Sequence, residues 1–212
     1  NKDPGAETVA PSAVRAKGQI YTDAAGMVDL DEPRALRLEE IPGVIGEYRH
    51  ATQCALAAGF DGVELHCTSG YLPAQFLSTG TNRRTDAYGG SVENRIRFVL
   101  EALEAMTAVA GSGRVGMRIC PGNPFNDLHD DNPHETFAAL LDAVSPMRLA
   151  YLHVIRSPRQ GLDAFALARA HFRGALIVND GFDAASADRA LVAGEAAAVS
   201  FGRSYIGNPD LV

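Results

Sequence analysis

Apolar residues recur along this chain with two periods, and the switch between them repeats. Val44, Tyr48, Ala51 and Ala55 sit at helical spacing. Pro42 precedes them, where a missing N–H does no harm, and Gly59 follows as a stop. The spacing predicts a helix from near Pro42 to Gly59. DGVELH (61–66) comes next and reads as a short strand with Val63 and Leu65 on one face. After a long polar loop, STGTNRRTDAYGGS, a second helix is predicted from Val92 to about Met106, with Ile96, Val99, Leu100 and Leu103 as its buried stripe. VGMRI (115–119), AYLHVI (150–155), ALIVN (175–179) and AAVSF (197–201) are strand-like. ETFAALLDAV (135–144), GLDAFALARAHF and AASADRALVAG are helical and fall between them. Residues 1–37 are rich in Gly, Pro and Asp and read as irregular, apart from a hairpin whose arms flank Asp23-Ala24-Ala25-Gly26.

Alternation of strand and helix with short connections implies an α/β fold, a parallel sheet covered by helices. It closes either as an open doubly wound sheet or as a (β/α)8 TIM barrel. A dinucleotide-binding doubly wound domain would carry G-x-G-x-x-G after its first strand, and this chain has none there. The unusual residues fall instead at C-terminal strand ends, where a barrel keeps its chemistry. The barrel is therefore expected. A whole barrel needs eight strands and roughly 250 residues. Five strands in 212 residues are expected to be its back part, roughly strands 4–8. On this reading residues 1–37 form a capping or hairpin region between barrel strands, and 38–212 the C-terminal part of a single barrel domain. On the same reading the first strands and the last helix of the barrel are expected to lie outside these 212 residues.

Composition narrows the partners. With 26 acidic against 19 basic residues the net charge is −7, which disfavours a nucleic-acid surface and favours small molecules. No apolar run approaches the roughly 20 residues that cross a bilayer, so no membrane partner is expected. The cysteines at 54, 67 and 120 have neither disulfide-framework nor zinc spacing, which makes a reducing cytoplasm the expected location and leaves no metal site.

The candidate chemistry begins at LHCTSGYLPAQFL (65–77), which sets His66, Ser69 and Tyr71 beside the flexible Gly70. An imidazole N–H and a neighbouring donor could hold a carbonyl or nitro oxygen while the phenol delivers a proton. Alternatively, His66 is hydrogen-bonded structure and Tyr71 packs under a loop. Arg118 within an apolar strand is either in an internal ion pair or aimed into the barrel mouth at an anionic or electron-rich ligand. Asp180-Gly181 and Phe201-Gly202-Arg203 follow the last two strands, the usual phosphate position of a barrel. The competing reading makes both glycines mere turn formers. Residues 15–30 and 122–132 are expected to lie over the substrate, with Phe125 and Asn126 lining its pocket.

AGFDGVELHCTSGYLPAQFLSTGTNRRTDAYGGSVENRIRFVLE resembles the long signature of the old yellow enzyme family of FMN-dependent ene-reductases. PRALRLEEIPGVIGEYRHA, RVGMRICP, AYLHV and AVSFGRSYIGNPDLV resemble further segments of that family, in order. The resemblance implies FMN as cofactor, NAD(P)H as reductant, and reduction of the activated C=C bond of enones or nitroalkenes, with nitrate esters as a further substrate class. It implies that Tyr71 protonates the substrate carbon opposite the hydride and that His66 binds the substrate oxygen. Arg118 would lie along the N1/O2 edge of the flavin, and Gly202 and Arg203 would hold its phosphate. Two positions depart from the pattern. Ser69 stands where the family has Asn or His, which predicts weaker phenol binding. Asp180 stands where many members have a small neutral residue, and its carboxylate would repel a phosphate unless it pointed away.

Two other readings remain at this point. One is a truncated, catalytically silent barrel fragment acting as an assembly module, because a five-strand arc has two open edges and associates with a second copy or with the missing barrel segments. The other is a flavin-free barrel binding a phosphorylated ligand. A related iron–sulfur branch has clustered cysteines, which this stretch lacks.

Overall fold

Residues 115–119 alternate so that Val115, Met117 and Ile119 fall on one side of a strand and Gly116 and Arg118 on the other. In the computed structural model, which describes residues 7–208, 210 and 211, that strand lies in a five-stranded parallel sheet. The strands are β5 (Val63–Cys67), β6 (Val115–Ile119), β7 (Tyr151–Ile155), β8 (Leu176–Asn179) and β9 (Ala198–Ser200). They pair in chain order, β5-β6-β7-β8-β9. A doubly wound sheet reverses its strand order at a switch point; this one never does. Each crossover steps the same way, which is the winding of a barrel.

The connecting helices are α3 (Val92–Ala110), α4 (Pro133–Val144), α5 (Ala164–His171) and α6 (Ala184–Val192). Met117, Ile119 and Leu152 on the strands pack with Val99 and Leu103 of α3 and with Leu140 of α4 in one core, each with no exposed surface. Complete burial of such side chains is worth about 1.5–3 kcal/mol apiece. The opposite side of the sheet carries Glu64, His66, Arg118, Tyr151, His153, Asn179 and Ser200. The fold therefore turns its apolar face to the helices and its polar face inward, and of the expected site residues His66 and Arg118 sit on that inner face.

Helix starts follow local chemistry. Ser91 accepts a hydrogen bond from the Asn94 N–H, Asn132 from Glu135, Asp163 from both Phe165 and Ala166, and Asp183 from Ser186. Helix α1 (Ile41–Ala57) has its proline in the first turn, and Gly59 takes φ 91° just beyond its end. Ile41 and Ile45 join Phe76 and Phe98 in a second core, where the two phenyl rings stack at 4.1 Å and 6°.

Three stretches differ from the expectations. Residues 7–37 are more ordered than their composition suggests: β1 (Val9–Ala10) pairs in parallel with β4 (Arg34–Ala35), beside the expected hairpin of β2 (Gln19–Thr22) and β3 (Gly26–Asp29). Arg84 fastens that segment by donating to the Pro11 and Leu36 carbonyls, so the polar 78–91 loop is a clamp rather than slack chain. Residues 72–77, expected only as site wall, form helix α2 (Leu72–Leu77), and 203–207, expected as a phosphate turn, form the short α7 (Arg203–Gly207). Residues 1–6 of the expected capping region, and Pro209 and Val212 of the C-terminal motif, lie outside the described residues.

Candidate active site

Because the five strands are parallel, their C-terminal ends share one rim. Thr68, Cys120, Arg156, Asp180 and Phe201 are the first residues beyond β5 to β9. The rim has an unusual backbone. Three consecutive pairs adopt left-handed φ: Ser69 and Gly70 (59° and 80°), Asn126 and Asp127 (56° and 60°), and Asp180 and Gly181 (75° and 74°). Four of these six residues carry a Cβ that resists this region, and such strain gathers where a loop must present groups to a ligand. A Cβ on Gly70 would also come within 2.6 Å of the Asn126 Cβ, so only glycine fits there.

Below the rim, one chain of hydrogen bonds crosses all five strands. The Arg118 Nη2 donates to Asn179 Oδ1 at 2.9 Å, and Asn179 Nδ2 donates to the Ser200 carbonyl at 2.9 Å. Ser200 Oγ lies 2.8 Å from His153 Nε2, and His153 Nδ1 lies 3.0 Å from Glu64 Oε2. A carboxylate only accepts, so Nδ1 carries the proton and Nε2 accepts from the serine hydroxyl in the neutral ring. Burial works against ionisation of Glu64, yet hydrogen bonds from His153 and Tyr151, with the Arg118 charge nearby, hold it below the usual carboxylate range. Sequence reasoning missed Glu64, His153, Asn179 and Ser200 as a set. The available signal was alternation: in VELH and YLHV the polar residues occupy every second position, and those positions point inward.

Among the expected site residues, Ser69, Phe125, Arg118, Asp180, Gly181, Phe201, Gly202 and Arg203 line one cavity of about 740 Å³, within the usual range for ligand sites. Arg118 makes its side-chain hydrogen bond to Asn179 rather than to an acid, and its Nε is buried with no partner. The internal ion pair considered from sequence is not what holds it. A Cβ on Gly202 would meet nothing within 4 Å, so bare backbone at this wall leaves the cavity open. An unpartnered guanidinium nitrogen, an open glycine and Arg203 suit a flat, electron-rich ring bearing an anionic tail.

Two expected residues lie elsewhere, and a third sits behind the wall. His66 and Tyr71 border a neighbouring cavity of about 660 Å³ with Thr52, Ala55, Glu64 and Leu72. Their rings meet edge to face, 5.1 Å apart. The split arises because β5 is the last strand on that side of the sheet among the described residues, so no further wall joins the two spaces. Across the sheet His66 is nevertheless paired directly with Arg118. Desolvation and the Arg118 charge lower the His66 pKa, which keeps the ring neutral near pH 7 with one N–H to donate. Asn126 does not border the larger cavity; its Nδ2 donates to the Ser69 carbonyl at 2.7 Å and braces the loop. The Lys17 N–H donates to Asp127 at 3.0 Å, joining the two segments expected over the substrate.

Comparison with known proteins agrees with this architecture. The sequence profile of the NADH:flavin oxidoreductase / NADH oxidase family matches residues 2–212. A probable flavin mononucleotide-dependent alkene reductase of Leishmania infantum is 40% identical over 220 aligned residues, covering 100% of this chain and 60% of that protein. The solved old yellow enzyme homologue from Zymomonas mobilis superposes with a TM-score of 0.94 at 37% identity, over 98% of this chain and 60% of its own. Morphinone reductase does so with a TM-score of 0.91 at 42% identity, over 99% and 59%. The chain thus spans about 60% of the length of these relatives, and its five strands are part of a (β/α)8 barrel. By profile, sequence and superposition alike, it belongs to the NADH:flavin oxidoreductase / NADH oxidase family.

Proposed function

We propose that this chain forms the larger part of an FMN-dependent oxidoreductase that uses NAD(P)H to reduce the activated C=C bonds of enones and nitroalkenes, and that takes nitrate esters as a further substrate by reductive cleavage of their O–N bond. The observation that carries the reading is the convergence of Arg118, Gly181, Gly202 and Arg203 on one cavity, next to the His66–Tyr71 pair. Relatives described as flavin mononucleotide-dependent alkene reductase and 12-oxophytodienoate reductase support it.

In this reading the cavity lined by Arg118, Gly181, Gly202 and Arg203 would hold FMN, which would supply hydride-transfer chemistry between NAD(P)H and the substrate β-carbon. Arg118 balances negative charge at the ring edge, held in place by Asn179. Gly181, Gly202 and Arg203 hold the phosphate, Gly181 and Gly202 with main-chain N–H groups and Arg203 with its charge. The neutral His66 donates to the substrate oxygen and draws electron density from the alkene. Ser69 assists from the next turn, and Tyr71 holds the proton that goes to the α-carbon on the face opposite the hydride. Phe125 covers the cavity, Asn126 braces the Ser69 turn, and residues 7–37 act as a cap over the barrel. Three unbonded cysteines, two of them buried, suit the reducing cytoplasm. No helix among the described residues is long and apolar enough to cross a membrane.

Visible spectroscopy tests the proposal. The expected result is a yellow protein that NADPH or NADH bleaches and an enone recolours. A colourless protein that takes up no added FMN overturns it. The alternative, a silent assembly module, is favoured only by the unpaired outer sides of β5 and β9 among the described residues. It predicts self-association without flavin uptake.

A further inference from the structure

One guanidinium on the cavity wall has no role in the function just proposed. Arg156 follows β7 and lines the same cavity as Gly181, Gly202 and Arg203. It is held unusually firmly for an exposed arginine. Its Nε donates to the Asp180 carbonyl at 3.1 Å, and its Cζ lies 4.8 Å from the Phe165 ring centre and 5.1 Å from that of Phe182. A Cβ on Gly181 would come within 2.9 Å of that Nε, so the guanidinium lies directly against the left-handed 180–181 turn. Neither terminal amino group donates a hydrogen bond to a described residue. Two rings and a carbonyl therefore fix the plane of a fork whose outer face is unused. A fixed planar fork fits a phosphate through two parallel N–H donors.

We infer that Arg156 is a second arginine ligand for the phosphate monoester of the flavin, reaching it from the strand end beside Gly181. The inference rests on the FMN reading above and deepens it. It also accounts for Asp180, whose carboxylate would otherwise oppose a dianion. Asp180 gives its carbonyl to Arg156 and so brings a positive charge to the turn that its own side chain makes more negative.

Discrimination between FMN and riboflavin, which lacks only the phosphate, isolates this contact from the ring contacts. Flavin fluorescence titration of the full-length protein should show FMN bound more tightly than riboflavin. In R156Q that ratio should fall by about tenfold, the loss expected for a partly exposed charge-assisted pair. Riboflavin affinity should stay unchanged, which also reports an intact fold. R156K, keeping the charge without the fork, should fall between. If R156Q loses riboflavin too, R156M, which keeps the apolar stem between the rings, decides by the same ratio. An unchanged ratio overturns the inference and leaves the FMN reading standing. So does a loss confined to NADPH relative to NADH, which would assign the fork to the reductant's phosphate. Failure of the parent protein to bind either flavin overturns both.

Discussion

Ser69 shows how one side chain carries both a structural and a chemical departure. It sits at φ 59°, a region that asparagine tolerates better than serine, and it borders the cavity where a donor to a substrate oxygen is wanted. Ser69→Asn should therefore raise stability by about 0.5 kcal/mol, read as a melting shift of roughly 2 °C, and tighten phenol binding in the same protein. A variant with unchanged phenol affinity would remove the chemical half of that argument. Glu64 gives a prediction with a definite sign. Its pKa is depressed in the folded chain, so its contribution is present above the unfolded value near 4.5 and lost as pH falls below it. Acid titration of stability should show the parent losing this contribution below about pH 4.5. Glu64→Gln should flatten that limb and cost about 1–2 kcal/mol at pH 7, where His153 loses a charged acceptor. Equal acid sensitivity in both proteins would argue against the assignment.

At the scale of elements, the short helices depend on their caps. Helix α5 has eight residues, too few to persist alone, and Asp163 satisfies two of its free N–H groups at 3.0 Å each. Asp163→Ala should cost about 1 kcal/mol in denaturant melts and Asp163→Ser should restore most of it. The longest helices were legible in sequence through their apolar period, α1 over 17 residues and α3 over 19, and α1 also through Pro42 and Gly59 at its ends. Strands β5 to β9 were legible for a similar reason, since each is a brief apolar run with turn residues behind it. Helix α2 was not, because six residues give less than two turns of period, and LPAQF follows directly on the polar cluster that dominated the reading. Helix α7 was hidden likewise within the Gly202-Arg203 motif. The pairing of β1 with β4 joins two-residue strands far apart in order, and no local pattern marks such a pair.

At the scale of the whole molecule, the sheet presents two outer strands, β5 and β9, each paired on one side among the described residues. Near β9 the surface carries Val192 at 82% and Ile206 at 86% exposure. Open strand edges beside apolar surface favour association. Light scattering on the 212-residue chain alone should give a mass above one chain, falling to a single heterodimer when a polypeptide carrying the remaining barrel strands is added. A lone chain that stays monomeric would contradict this. Cavity membership was the part of the site least legible in sequence. That Arg118 and Arg203 share a space while His66 and Tyr71 stand in the next one depends on which strand is outermost, and spacing along a chain does not encode that.

The hydrogen-bonded chain from Glu64 to Arg118 has one more consequence. Strand β9 is three residues long and lies at a border, so its amides should trade protons with solvent quickly. Its Ser200 is instead tied through the His153 imidazole to the far border strand and through the Asn179 carboxamide to β6. The shortest strand of the sheet is thereby fastened to β6 and to the opposite border, so among the described residues the two borders should open together.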